Sequence, residues 1–143
     1  NLSIKENLKT WLDQYKMIND TIDILDGNII NIGIRYRVIA GLEVNKYDLL
    51  DTCNNKLISD FINIKFNLGE PVYITEVYKL LNDVPGVIDT TEVEFYNLAG
   101  STYNGYIYNI RENMSADGRY LIIPPDSAAE VLYPQTDIVG VVT

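Results

Sequence analysis

The sequence has no histidine, one cysteine, one tryptophan, and only 11 basic residues against 20 acidic ones, for a net charge of −9. Without His the chain lacks both the ordinary near-neutral acid/base group and the commonest metal ligand, so Ser-His-Asp and Cys-His sites within the chain are excluded. The lone Cys53 excludes an internal disulfide framework and a thiolate zinc cluster, as expected in a reducing compartment. Net negative charge opposes phosphate backbones and anionic lipid, so neither nucleic acid nor a membrane surface is an expected partner. No apolar run reaches the roughly 18 to 20 residues that span a bilayer, and the N-terminus shows no secretion signal. The chain opens Asn1-Leu2-Ser3 without an initiator Met, as expected of a fragment or a processed product.

What is present suits one folded domain. At 143 residues and 47% hydrophobic composition, the chain is large and apolar enough to bury a core, which excludes wholesale disorder. Nineteen Ile, fifteen Asn and eleven Tyr are conspicuous.

Ser3-Ile4-Lys5-Glu6 matches a capping box and predicts a helix to about Met17, with Leu8, Leu12 and Tyr15 on one stripe beside Trp11. That stripe needs a sheet or a second helix to cover it. Ile22 and Ile24 then alternate with Thr21 and Asp23 before Asp26-Gly27, which predicts strand, turn, strand. In the second strand Ile30, Ile32, Ile34, Tyr36 and Val38 point one way, and Asn31, Gly33, Arg35 and Arg37 the other.

Asn45 is placed to cap a second helix to about residue 63, with Leu49, Cys53, Leu57 and Phe61 in its apolar stripe. Thr75 is placed to cap a short third helix carrying Val77, Leu80, Leu81 and Val84, and Pro85-Gly86 turns the chain into a strand from Val87 to about Tyr96. In that strand Thr91, Val93 and Phe95 are expected inward, Glu92 and Glu94 outward. Two apolar runs follow at 120–123 and 138–142, separated by Pro124, Pro125 and Pro134, which favour edge strands or an extended arm.

The fold class this predicts is α+β, with a small, mostly antiparallel sheet covered by helices, a protruding loop and an extended C-terminal arm. Residues 1–97 form its α+β core, 98–119 a Tyr/Asn/Gly-rich loop, and 120–143 C-terminal strands or an arm packed on the core or a partner.

The chemical motifs are weak. Gly100 to Gly105 has the glycine spacing of a phosphate loop, but Tyr106 stands where Lys is required. Acidic residues cluster at Asp20, Asp23 and Asp26 and again at Asp89, Glu92 and Glu94, without the calcium-loop pattern; Glu92 and Glu94 share one strand face by period two. Cys53, on an apolar stripe, is expected to be a small buried hydrophobe. Asn19-Asp20-Thr21 and Asn113-Met114-Ser115 are formal glycosylation sequons that abundant Asn produces by chance. No catalytic, cofactor or metal residue is assigned.

The tyrosines of the aperiodic segment carry more. Aromatics with a polar tip are enriched at interfaces, so Tyr103, Tyr106, Ile107 and Tyr108, with Ile138 from the tail, are the candidate interface residues. The competing reading is that they cover the domain's own sheet. On the interface reading, removing residues 98–118 leaves a folded protein that no longer self-associates.

Three segments carry a family likeness: Phe66-Asn67-Leu68-Gly69-Glu70-Pro71-Val72-Tyr73-Ile74-Thr75, then Val77 to Val87 with Pro85-Gly86, and the closing Tyr133-Pro134-Gln135-Thr136-Asp137-Ile138-Val139-Gly140. With the element order, they make the chain resemble the C-terminal region of baseplate J-like proteins, the baseplate wedge subunits of contractile-tailed, T-even-type phages. The resemblance implies a non-enzymatic virion protein, assembled in the host cytoplasm. It implies association with further copies, as a dimer or ring around the tail tube, and with other wedge proteins. No catalytic residue carries over. The alternatives are a carbohydrate- or protein-binding module of a tail or cell surface, and a hydrolase using the acidic clusters.

Overall fold

The computed structural model describes residues 1–17 and 21–143. Asp20 and the Asn19-Asp20 part of the first sequon lie outside the described residues.

β1 (Asn28–Ala40) organises the fold. Its period-two pattern emerges as read: Ile30, Ile32, Ile34, Tyr36 and Val38 are all 0–1% exposed on one face. β3 (Val87–Asn97) pairs antiparallel along one side of it. On the other side β5 (Ser127–Glu130) and β6 (Ile138–Val142) lie end to end, both parallel to β1. A separate short ladder joins β2 (Val72–Tyr73) to β4 (Tyr120–Leu121).

The α+β class is therefore observed, but the main sheet is mixed where alternation predicts a mostly antiparallel one. Two departures explain it. Residues 21–27 form no strand, because the place beside the start of β1 is taken by β5. Gly27 serves close approach instead of a hairpin: a Cβ there would come within 2.9 Å of Leu68 and 3.1 Å of the Asp126 carbonyl. The C-terminal segment, expected as edge strands or an arm, forms strands along one side of β1, broken between β5 and β6 by the one-turn α4 (Pro134–Asp137), with proline in its first turn.

α2 (Lys46–Asn63) and α3 (Ile74–Asn82) cover the apolar face, α2 over β6 and α3 over β3. Asn45 caps α2 by accepting from the Tyr47 amide at 2.9 Å, and the stripe Leu49, Cys53, Leu57, Phe61 is buried at helical spacing. Thr75 lies inside α3, not at its cap: the helix starts one residue earlier, straight out of β2. Pro85-Gly86 makes the expected turn, with Gly86 at φ +97 and its carbonyl accepting from the Gly41 amide at 3.0 Å.

In β3 the inward residue is Thr90, buried with its hydroxyl donating to Asn82 Oδ1 at 2.7 Å, while Thr91 is exposed. A register shift explains the exchange: Arg37 pairs with Glu92 but Val38 with Thr90, leaving Thr91 as the extra residue of a bulge.

α1 (Leu2–Asp13) is capped by Asn1, which accepts from the Ser3 amide at 3.0 Å, so Ser3 is inside the helix instead of capping it. None of its residues is buried.

Two glycines receive tyrosine rings. A Cβ at Gly140 would sit 2.2 Å from the ring of Tyr36, which is 1% exposed and donates to Asn54 Oδ1 at 2.6 Å. At Gly33 the ring is Tyr96, only half-buried, so displacing it costs its hydrogen bond to the Asp137 carbonyl but less packing. Gly140→Ala should accordingly destabilise the domain by about 1–3 kcal/mol and Gly33→Ala by clearly less, as read from urea unfolding midpoints. Equal losses at the two positions would refute this account of the packing.

Candidate functional site

The segment from Leu98 to Arg119 does not protrude. It is folded back over the edges of β1 and β3 and held by asparagine side chains. The Leu98 amide donates to the Asn31 carbonyl at 2.9 Å, and Asn97 Nδ2 donates to the same oxygen at 3.1 Å. Asn31 is itself buried on the sheet's second face; its Oδ1 accepts from the Asn104 amide at 3.1 Å and its Nδ2 donates to Glu130 at 3.3 Å. Asn104 Nδ2 donates to the Ile29 carbonyl. The Tyr108 amide donates to Asn97 Oδ1 at 3.1 Å. Amides carry donor and acceptor together, so they fasten irregular backbone that has no ladder of its own.

The predicted interface residues divide accordingly. Tyr108 and Ile138 are corrected to core positions, at 8% and 4% exposure, with the Tyr108 hydroxyl donating to the Ile122 carbonyl. Ile110 is buried beside Tyr108 in the same core, so excising 98–118 would remove part of that core and not merely an appendage. Tyr106 is half-buried and stacked on Tyr108, ring centroids 6.4 Å apart. Tyr103 is half-buried as well. Of the five, Ile107 alone is freely exposed, at 81%.

Tyr103 is tied to a residue that sequence reasoning passed over. Asp137, 3% exposed at the end of α4, accepts from the Tyr103 hydroxyl at 2.6 Å, the Tyr133 amide at 3.1 Å and the Thr136 hydroxyl at 3.3 Å. Its carbonyl accepts from the Tyr96 hydroxyl at 2.9 Å. The hydrogen bond to Asp137, followed by desolvation and the carboxylate's charge, pushes the Tyr103 hydroxyl up to about 12. Burial, with the charge of Asp137, also raises Tyr96. This cluster is a clasp between the 98–119 segment and the sheet edge. Its sequence signal was slight: one Asp three residues after a proline, at the start of a short apolar run.

The other candidates are placed as follows. No helix follows Gly105, so the phosphate-loop spacing lacks the strand-loop-helix context that gives it meaning. Asp26 pairs with Lys5 at 2.6 Å, and that lysine holds its carboxyl below the usual range. Glu92 and Glu94 stand on the sheet's uncovered face opposite Arg37 and Arg35, in contacts of 3.9 and 4.0 Å. Asp89 accepts from the Thr90 amide at 2.9 Å. Among the described residues no three metal-ligating side chains converge. Cys53 is fully buried, and burial pushes its thiol up. Asn113 of the second sequon donates to the Asn109 carbonyl at 2.7 Å.

Among the described residues, apolar side chains also stand uncovered. On α1, Ile4, Leu8 and Trp11, and just past its end Tyr15, are 44–71% exposed, with Trp11 and Tyr15 rings 5.0 Å apart, and Leu12 on the stripe is half-buried. A hollow of about 480 Å³ opens between the end of α2 and β5, lined among others by Ile29, Ile62, Ile64, Phe66, Val131 and Leu132. The small Ala128 and Ala129 of β5 leave this space. No protein-family model matches the chain, and no curated protein matches it.

Tyr103 bonds Asp137 in its protonated form, so its folded value is raised above the ordinary 10.0. The clasp is therefore complete below pH 10 and is lost as pH rises through about 12. Subtracting the tyrosinate absorbance titration of Tyr103→Phe from that of the wild type should leave a step near pH 12; a step at pH 10 would contradict the clasp. At neutral pH the variant should stay folded and exchange amide hydrogens faster across 98–106.

Proposed function

We propose that this domain is a non-enzymatic structural subunit, part of the baseplate wedge of a contractile phage tail, that associates with copies of itself and with other wedge proteins. The observation that carries the assembly role is the apolar stripe of α1, on which Ile4, Leu8 and Trp11 recur at helical spacing and stand exposed, with Tyr15 just past its end. Each large aliphatic side chain left in water forgoes about 1.5–3 kcal/mol, so a helix of this pattern is stable when something covers it. Contiguous exposed apolar surface of this kind marks interaction sites.

The baseplate assignment draws on the likeness of residues 66–75, 77–87 and 133–140. Those segments form the α3 entry, the Pro-Gly turn into β3, and the start of the β6 edge. The carbohydrate-binding alternative draws less support, because Tyr103 and Tyr108 direct their hydroxyls into internal bonds. Of the acidic residues, Asp26, Glu92 and Glu94 lie in salt bridges, the last two on an open sheet face, which does not favour a hydrolytic pair.

Sedimentation equilibrium over a concentration series should give masses well above the 16.2 kDa chain for the wild type and the chain mass for Leu8→Glu/Trp11→Ser. A wild type that stays at chain mass throughout would end the self-association reading.

A further inference from the structure

We infer that Asn104 is a modification site: its side chain deamidates through the backbone nitrogen of Gly105, and the product loosens the segment folded over the edges of β1 and β3. The inference goes beyond the assembly reading and stands whether or not the chain associates. Deamidation begins when a backbone nitrogen, its proton lost to solvent base, attacks the side-chain carbonyl carbon of the asparagine before it. A side chain on the attacking residue hinders that approach, and glycine has none. Of the fifteen asparagines, Asn104 alone is followed by glycine.

The local geometry frees the nucleophile and polarises the carbon it attacks. Gly105 is exposed, has nothing within 4 Å of where a Cβ would sit, and its amide donates to no group among the described residues. Asn104 Oδ1 accepts from the Tyr106 amide at 3.2 Å, so a donor is already aimed at the oxygen on which negative charge gathers as the new bond forms. The two Asp-Gly pairs lack these features. Gly27 is packed against Leu68 and Asp126, and the Gly118 amide donates to the Ser115 carbonyl at 2.9 Å. Reaction at an aspartate also goes through its protonated carboxyl, and hydrogen bonds from Lys5 to Asp26 and from Ser115 to Asp117 hold both carboxyls below the usual range.

The atoms balance with water as the one co-reactant. The bond from Gly105 N to Asn104 Cγ forms, the bond from Cγ to Nδ2 breaks, and Nδ2 leaves as ammonia with a proton from solvent. Water then opens the succinimide, at Cγ to give aspartate or at the backbone carbonyl to give isoaspartate. The atom lost is a fastening one: Nδ2 donates to the Ile29 carbonyl, next to Asn31, whose Oδ1 accepts from the Asn104 amide at 3.1 Å. A carboxylate there has no proton to give and sets oxygen against oxygen.

The whole protein, kept at neutral and at mildly alkaline pH and sampled by ion exchange, should build up a species whose net charge has gone from −9 to −10, faster at the higher pH. Peptide mapping with isoaspartyl methyltransferase labelling should place the change at position 104. Gly105→Ala, which meets open space and no left-handed φ, should abolish that species over the same period. The aged wild-type fraction and Asn104→Asp should both exchange amide hydrogens across 98–106 roughly tenfold faster, the equivalent of one hydrogen bond of about 1.4 kcal/mol. Conversion of another asparagine ahead of Asn104 would overturn the site. Conversion in urea but not in the folded protein would overturn the part given to the fold. Unchanged exchange in both the aged fraction and Asn104→Asp would overturn the loosening.

Discussion

The fully buried face of β1 is the constraint from which the rest follows. Five successive inward side chains, Ile30, Ile32, Ile34, Tyr36 and Val38, are sealed from water, and every other core element touches the space they define. α2 and α3 exist as packed helices because this face must be covered, and their own stripes at positions 49, 53, 57, 61 and 77, 81 answer it. β3, β5 and β6 exist as strands because both edges of β1 carry amides and carbonyls that need partners.

Much of this was legible from periodicity. β1, α2, α3, β3 and the Pro-Gly turn were readable because each carries a local signal: period two, period 3.6, an Asn cap, a left-handed glycine. What was not legible is what distant residues decide. Whether Thr21–Leu25 forms a strand depends on β5 claiming the same edge, and whether Thr90 or Thr91 faces inward depends on a bulge against Val38. The candidate site was less legible still. Residues of an aperiodic stretch look alike in sequence, whether they cover a sheet, as Tyr108 does, or stand in solvent, as Ile107 does beside it.

The asparagines explain why a segment without periodicity can be ordered. Asn31, Asn97 and Asn104 replace the missing ladder with side-chain amides, and Asp137 closes the same region through Tyr103. The polar composition that suggests a loop is here the means of fastening it. The apolar surface left exposed is consequently mostly not in the tyrosine-rich segment but on the stripe of α1 and in the lining of the hollow beside β5.

The tandem edge formed by β5 and β6 also bears on how the domain comes into being. The Val38 carbonyl is met by Thr143, 105 positions further along, and the whole of β6 pairs with residues 34–38. One flank of the central strand therefore stays open until β6, far along the chain from β1, has been made. Until then β1 waits with an open flank, a state that invites pairing between nascent chains and that β6 ends.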